Sequence, residues 1–515
     1  VLSPQIKKIF EGLDRYKEND IYNEERGPSI DVNRLTGKMG VLYEKLRYVV
    51  DYKEKHTIER SAIERILNRG LFVEGSKEMG APLLQELVGG GYLPNKSIPE
   101  AVADDIQTII NKYVLLDGGK VTNPKLVSLI ATEIEIFLHP QILNTLVSES
   151  LYETVSNRIE YSEQITKEEL DTQTFIGCKR SLLGGDQDTL LYALVVRKIP
   201  ELPILNDVEE IRSVADKLAK AITDSEKELK NPLGWKISSK LKNQSVFFSV
   251  IKEIIDKYGT VSESIFSDKE QLEEKVKEVL SKEYKKQEDL VRQSGTRAVI
   301  YLLLTKVILA LILELPYEIF VLSHINYFAL ATNIFFHPLL LLLIVNTVKS
   351  PKSNNTNVII AGIEDIVEGS ETKPIYVKST NADFYMNFSF AAFYTVLFFI
   401  SFGIILGILT ILQFNIVSIL LFLFFLTLVS SFGFRIHAMS KKWQVYTGDE
   451  RILTLIWNLF TMPIIRTGRW LSRRFSSINV LVFFMDFLLE TPFKFILGTF
   501  DSFISFLKEK DEDTF

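Results

Sequence analysis

Residues 388–412 read FSFAAFYTVLFFISFGIILGILTIL and residues 416–434 read IVSILLFLFFLTLVSSFGF; neither run contains a charge, and only Gln413, Phe414 and Asn415 separate them. The hydrocarbon core of a bilayer takes about 20 mostly apolar residues in helical form, because an unpaired backbone amide or carbonyl is not tolerated there. Each run meets that requirement, and the short connection makes the pair a transmembrane hairpin. Upstream, residues 298–315, either ending at Pro316 or continuing past it to Leu322, and residues 327–347 form a second pair of the same kind. The fold class expected is all-α: a polytopic helical membrane protein with two transmembrane hairpins and four spans.

The connecting segments give an orientation. The turn after the first span (316–326) and the turn after the third (413–415) contain neither Lys nor Arg. The approach to the first span carries Lys285, Lys286, Arg292 and Arg297; the segment after the second carries Lys349, Lys352, Lys373 and Lys378; the exit from the fourth carries Arg435, Lys441 and Lys442. Cationic residues are retained on the cytoplasmic side of a bilayer. Both termini are therefore expected in the cytoplasm, with the protein integral to a plasma (inner) membrane.

The domain organisation read from these shifts in composition is a soluble helical region over 1–266, a charged stalk helix over 267–295 and a first hairpin over 296–348. A cytoplasmic loop over 349–387, a second hairpin over 388–435, interfacial amphipathic helices over 436–508 and an acidic tail over 509–515 complete it. In the soluble region Ile58, Ala62, Ile63, Ile66 and Leu67 recur at helical spacing. Asn206 with Glu209 and Ser267 with Glu270 have the spacing of capping boxes. Short strands are expected near 114–116 and 192–196, and a hinge at Ser294-Gly295. The net charge of −6 gives no overall basic signal for nucleic acid. The single cysteine, Cys178, excludes an intrachain disulfide and has no evident activating base.

The most specific chemistry lies within the apolar runs. Lys306 falls near the middle of the first span and His337 near the middle of the second, which runs the opposite way; the two therefore lie at similar depth. Asn333 is one helical turn from His337, and Glu314 two turns beyond Lys306. An ionisable group at mid-membrane costs about 2.5–3.5 kcal/mol on insertion scales, so it faces protein or water. Lys306, Glu314, Asn333 and His337 form either an ion path or an interhelical tie, with Lys306 snorkelling or hydrogen-bonded to Asn333. Gly403 and Gly407 make a GxxxG that permits close helix approach, within the chain or between copies of a homo-oligomer. Arg466, Arg469, Arg473 and Arg474 around Trp470 suit anionic lipid headgroups at the cytoplasmic face.

Other motifs are weaker. Glu133, Glu135 and His139 lack the HExxH pattern of a zinc site, and Asp186 and Asp188 after Gly184-Gly185 have the composition of a turn. Gly118-Gly119-Lys120 lacks the remaining residues of a P-loop. No catalytic motif, metal site or cofactor is expected. The leading functional expectation is a non-enzymatic membrane scaffold or anchor whose residues 1–290 bind a protein partner. The alternative is a small oligomeric transporter or channel built on the intramembrane polar residues.

Overall fold

Leucine, isoleucine and valine at 3,4 spacing give the N-terminal region a set of amphipathic helices, and burial of those faces builds its core. The structure, a computed structural model, describes residues 2–16, 28–30, 55–73, 78–118, 121, 123–162, 165–184, 186–348, 351, 353–370, 373–378, 384–445 and 452–477. Helices Lys55–Val73, Gly80–Gly89, Val102–Leu116, Pro124–Leu138, Gln187–Lys198 and Val208–Lys230 enclose one continuous core that includes Ile63, Leu83, Ile106, Ile130, Ile134 and Val195. Beside it, helix Lys167–Leu183 packs on Pro232–Lys240, and helix Pro4–Tyr16 packs on Ile142–Val155.

Helices Val208–Lys230 and Lys269–Leu309 start on acidic caps. Asp207 accepts from the backbone N–H of Glu209 and Glu210 at 2.8 and 3.2 Å, and Asp268 accepts from Glu270 and Gln271 at 3.0 and 3.2 Å. In both cases the cap is the residue after the expected Asn206 or Ser267. A carboxylate there satisfies the orphan amides and also meets the positive end of the helix dipole. The expected strands at 114–116 and 192–196 are instead the ends or interiors of helices Val102–Leu116 and Gln187–Lys198. Their β-branched residues are accommodated by burial of one helix face, which overrides local propensity.

Strand pairing occurs elsewhere. Ile159–Tyr161 and Ile375–Val377 form a two-stranded parallel ladder with Ile159 opposite Ile375. Contact clustering separates two compact units. The first comprises Val1–Glu283, Pro351–Asn381 and Trp443–Tyr446; the second comprises Tyr284–Ser350, Ala382–Lys442 and Thr447–Phe515. The first unit is thus assembled from three separate lengths of chain. Besides the strand pair, Ser3 N–H donates to the Val367 carbonyl at 2.7 Å, and helix Ser353–Glu368 packs on Lys242–Tyr258. The buried Asn355 amide donates to the Trp443 carbonyl at 2.8 Å, while its oxygen accepts from Val445 N–H at 2.8 Å.

Among the described residues, four helices are long and apolar enough to cross a membrane: Lys269–Leu322, Tyr327–Thr347, Phe388–Ile411 and Ile416–Ser440. The second of these, with 21 residues at 1.5 Å rise, is roughly 31 Å long and matches a hydrocarbon core of about 30 Å. Their outward residues, among them Leu304, Ile312, Phe320, Phe335, Phe399 and Ile411, are large, apolar and exposed, the surface that lipid solvates. In a further apolar pair, Pro124–Leu138 bent by 109° against Ile142–Arg158, the first helix contributes its buried side chains to the core of the first unit.

The first span runs past Pro316 by changing its winding. Regular helix Lys269–Leu309 gives way to π-helical turns at Ala310–Glu314 and Glu318–Leu322, and the helix ends at Ser323 in the left-handed region (φ 57°). Wider turns accommodate the missing N–H and the ring of Pro316. No break occurs at Ser294-Gly295: a Cβ on Gly295 would collide with Val345, so the glycine serves close packing against the second span.

In the second unit Tyr327–Thr347 packs along Ile416–Ser440, and helix Ile452–Ser477 packs on Ile416–Ser440 and on Phe384–Ile411. Ile452–Ser477 is one continuous helix through Pro463; in the turn that Pro463 disturbs, Ser401 Oγ donates to the Phe460 carbonyl at 3.0 Å. A Cβ on Gly468 would strike the Thr427 carbonyl. Gly468→Leu is therefore expected to separate this helix from the fourth span and to lower the detergent-solubilised melting temperature by at least several degrees. An unchanged melting temperature would place the helix elsewhere. Residues 478–515, which carry the expected last amphipathic helix and acidic tail, and Gly119-Lys120 lie outside the described residues.

Candidate functional site

The polar residues of the spans converge. Lys306, on the first span, donates from Nζ to Asn333 Oδ1 at 2.6 Å, and the ammonium also lies 4.2 Å from the centre of the Phe425 ring. Asn333, on the second span, donates from Nδ2 to Glu314. Its Nδ2 is also 3.3 Å from the Ser418 carbonyl, and Ser418 Oγ donates to Glu314 Oε2 at 3.4 Å. The amide thus presents its carbonyl end to the cation and its N–H end to the anion, which fixes its orientation. Lys306, Glu314, Asn333 and Ser418 are all at most 2% exposed. Three helices contribute, and each side chain has a partner, the condition under which buried charge is tolerated.

His337 lies one turn from Asn333 but outside this relay. Its Nε2 donates to the Phe422 carbonyl at 2.9 Å, its Nδ1 lies 3.3 Å from the Asn333 carbonyl, and its ring packs edge-on against Phe422 and Phe425. One residue absent from the sequence reading joins the cluster: Glu318, 1% exposed, accepts from Asn326 N–H at 3.1 Å and from Asn415 Nδ2 at 2.7 Å. The signal for it was its i,i+4 relation to Glu314 ahead of an apolar IFVL. Placing the span's end at Pro316 hid it. Asn326 Nδ2 also donates to the Gln413 carbonyl at 3.1 Å, so the two turns without Lys or Arg are tied together beside Glu318.

The remaining expected sites fare differently. Gly403 and Gly407 face open space, with nothing within 4 Å of a built Cβ, so among the described residues the GxxxG is not used inside the chain. Arg466 lies over the Tyr394 ring at 4.9 Å and Arg469 over the Phe434 ring at 4.0 Å, while Trp470 and Arg474 are exposed. The side chain of Arg473 lies outside the described residues.

In the first unit the acidic residues are engaged by protein. Glu133 accepts from Lys112 and, at 2.7 Å, from Tyr113. Asp186 caps its helix by accepting from Thr189 N–H at 3.2 Å, and it receives Arg60 through both guanidinium ends at 2.5 and 2.7 Å. Arg60 also reaches Glu135 at 3.5 Å, Thr189 Oγ1 at 2.8 Å and Asp188 at 4.0 Å, and His139 lies 3.0 Å from Glu59. Glu133, Glu135 and His139 therefore have three different partners, and among the described residues no group of acidic, His or Cys side chains has metal-binding geometry. Burial, partly offset by Arg60, pushes the Glu135 carboxyl up to about 7; although burial acts the same way on Asp186, hydrogen bonds from Arg60 and Thr189 hold it below its usual range. Burial pushes the Cys178 thiol far up, so it is no nucleophile.

Comparison with protein-family models, with curated proteins and with solved structures returned no match. What the fold and the cluster define is a helical protein with four helices able to cross a membrane.

Proposed function

We infer that the chain is an integral membrane scaffold: two transmembrane hairpins anchor a helical cytoplasmic unit that is presented to a protein partner. The observation that carries this reading is the composition of the first unit. The chain leaves that unit at Glu283, runs through two apolar helices, returns to it at Pro351, leaves at Asn381, runs through two more and returns at Trp443. A chain that returns to the same water-soluble body after each pair of spans crosses an even number of times. The Lys and Arg residues around 285–297, 349–378 and 435–442 then share one face, the cytoplasmic one by the positive-inside rule. The polar relay through Asn333 supports the anchoring role, since each of its members is satisfied within the bundle.

Cysteine labelling tests the topology. In a Cys178→Ser chain in sealed cells, cysteines placed at 324 and 413 are expected to react with an impermeant maleimide from outside, and one at 373 only after permeabilisation. Labelling of position 373 from outside would refute the hairpins. Association is tested by crosslinking in native membranes with residues 1–266 present or deleted; an identical partner list would count against presentation of that unit.

A second reading, ion transport, draws on the run Glu318, Glu314, Asn333, Lys306 from the acidic end of the first span to its middle. It requires that Lys306→Leu abolish flux of protons or monovalent cations in proteoliposomes while the protein still inserts. Absence of flux in the unsubstituted protein removes this reading.

A further inference from the structure

Three cations are deeply buried in the first unit, and they are not treated alike. Arg60 is matched by Asp186 and Glu135, and Lys112 is matched by Glu133. Arg180, only 5% exposed, donates from Nη2 to the Leu229 carbonyl at 2.8 Å, and that is its one hydrogen bond among the described residues. Its Nε and Nη1 are buried with no acceptor, and no described carboxylate acts on it; burial is the sole influence, and it lowers the guanidinium's proton affinity. A buried guanidinium without a counter-charge is strongly unfavourable, and unpaired N–H groups add to the cost. The fold nevertheless orders this side chain. It lies under the Trp235 indole, 4.3 Å from ring centre to guanidinium carbon, and Trp235 is half exposed.

Nη1 lies at the crossing of two helices. Helix Pro232–Lys240 crosses Lys167–Leu183 closely at Gly234, whose N–H donates to Gln173 Oε1 at 3.0 Å. A Cβ on Gly234 would sit 2.9 Å from Gln173 Oε1 and 3.1 Å from Arg180 Nη1, so glycine is what lets the two helices close over the guanidinium this tightly. The indole stacked on the guanidinium is half exposed, so its displacement would bring solvent to the unpaired N–H groups.

We propose that Arg180 is a receptor for a carboxylate monoanion brought from outside the chain, which takes up the unpaired Nε and Nη1 when the half-exposed Trp235 indole swings aside. A single positive charge is neutralised one-to-one by a carboxylate, whereas a phosphate dianion would leave excess charge in a desolvated site. The planar carboxylate also fits beside a guanidinium already stacked on an indole.

The test uses the full chain in nanodiscs at pH 7, with thermal unfolding followed in sodium acetate, sodium chloride and sodium phosphate at equal ionic strength. Acetate is expected to raise the melting temperature progressively, as any ligand selective for the native state must. Chloride is expected to give no such rise, and phosphate, which stabilises folded proteins by exclusion from their surface, is expected to act equally on the unsubstituted chain and on Arg180→Met. Arg180→Met is expected to melt higher than the unsubstituted chain without acetate, because it removes an uncompensated charge and keeps the side chain's volume, and to lose the acetate response. Trp235→Ala, at a half-exposed position, is expected to keep the fold and to need about fivefold more acetate for the same effect. A tetraglutamate peptide acting at much lower concentration than acetate assigns the carboxylate to a protein partner; acetate acting at the lower concentration assigns it to a small molecule. Equal responses to acetate and chloride, an acetate response retained in Arg180→Met, or a phosphate response that disappears in Arg180→Met would each overturn the assignment.

Discussion

Asn333→Leu is expected to abolish recovery of the folded membrane unit. Leucine has nearly the shape of asparagine but offers neither an acceptor to Lys306 nor a donor to Glu314, and it holds the two charges apart. Removing one member of a buried charged network costs about 3–5 kcal/mol, because the remaining charges stay desolvated and unpaired. Whole domains are stable by only about 5–15 kcal/mol. The loss should appear as aggregation in size-exclusion chromatography of detergent-solubilised protein. The triple variant Lys306→Met, Glu314→Gln, Asn333→Leu removes both charges together with the bridge, and it is expected to recover a monodisperse peak. If the single variant behaves as the parent, the relay does not hold the bundle together. If the triple variant fails as badly as the single one, shape rather than charge is at stake.

The second large effect lies in the first unit. Arg60→Met leaves Glu135, Asp186 and Asp188 without their cation, and again about 3–5 kcal/mol is expected, read as lost hydrogen-exchange protection in helices Lys55–Val73, Pro124–Leu138 and Gln187–Lys198. The same cluster sets a pH dependence. The groups around Glu135 are Arg60, Glu59, Asp186 and His139. With its carboxyl raised from 4.5 to about 7, the folded chain holds a proton that the unfolded chain has released between those values. The contribution of Glu135 is therefore fully present below pH 4.5 and is lost as pH rises through 7, by on the order of 2–3 kcal/mol. Asp186 acts in the opposite sense at more acidic pH, where its depressed carboxyl must be protonated on unfolding. Glu135→Gln is expected to flatten the dependence between pH 5 and 8; an unchanged slope would assign it to another group.

Much of the membrane part was legible because hydrocarbon imposes a one-dimensional rule: length and apolarity alone mark the four runs. Depth could be read the same way. Antiparallel neighbours put Lys306 and the Asn333–His337 turn at one level, and the structure brings Lys306 and Asn333 into contact while leaving His337 to the Phe422 carbonyl. Glu318 was missed because Pro316 signals a helix end, and wider winding around a proline leaves no mark in composition. Helix caps were displaced by one residue because adjacent polar residues compete for one position, and the carboxylate wins on charge. The Arg60–Asp186 pair joins residues 126 positions apart, and Arg180 is conspicuous only through what does not surround it. Such relations belong to packing in three dimensions, and no periodicity announces them.

The strand Ile159–Tyr161 finds its partner only when Ile375–Val377 has been made, and Asn355 waits longer still for the backbone of Trp443 and Val445. A nascent chain therefore exposes an open sheet edge and an unfilled helix groove for as long as the ribosome is occupied with the intervening apolar helices. On the proposed two-hairpin topology, completion of the first unit would act as a checkpoint on insertion. A chain that threaded the bilayer an odd number of times would strand its own missing pieces across the lipid and leave an unfinished particle for quality control to remove.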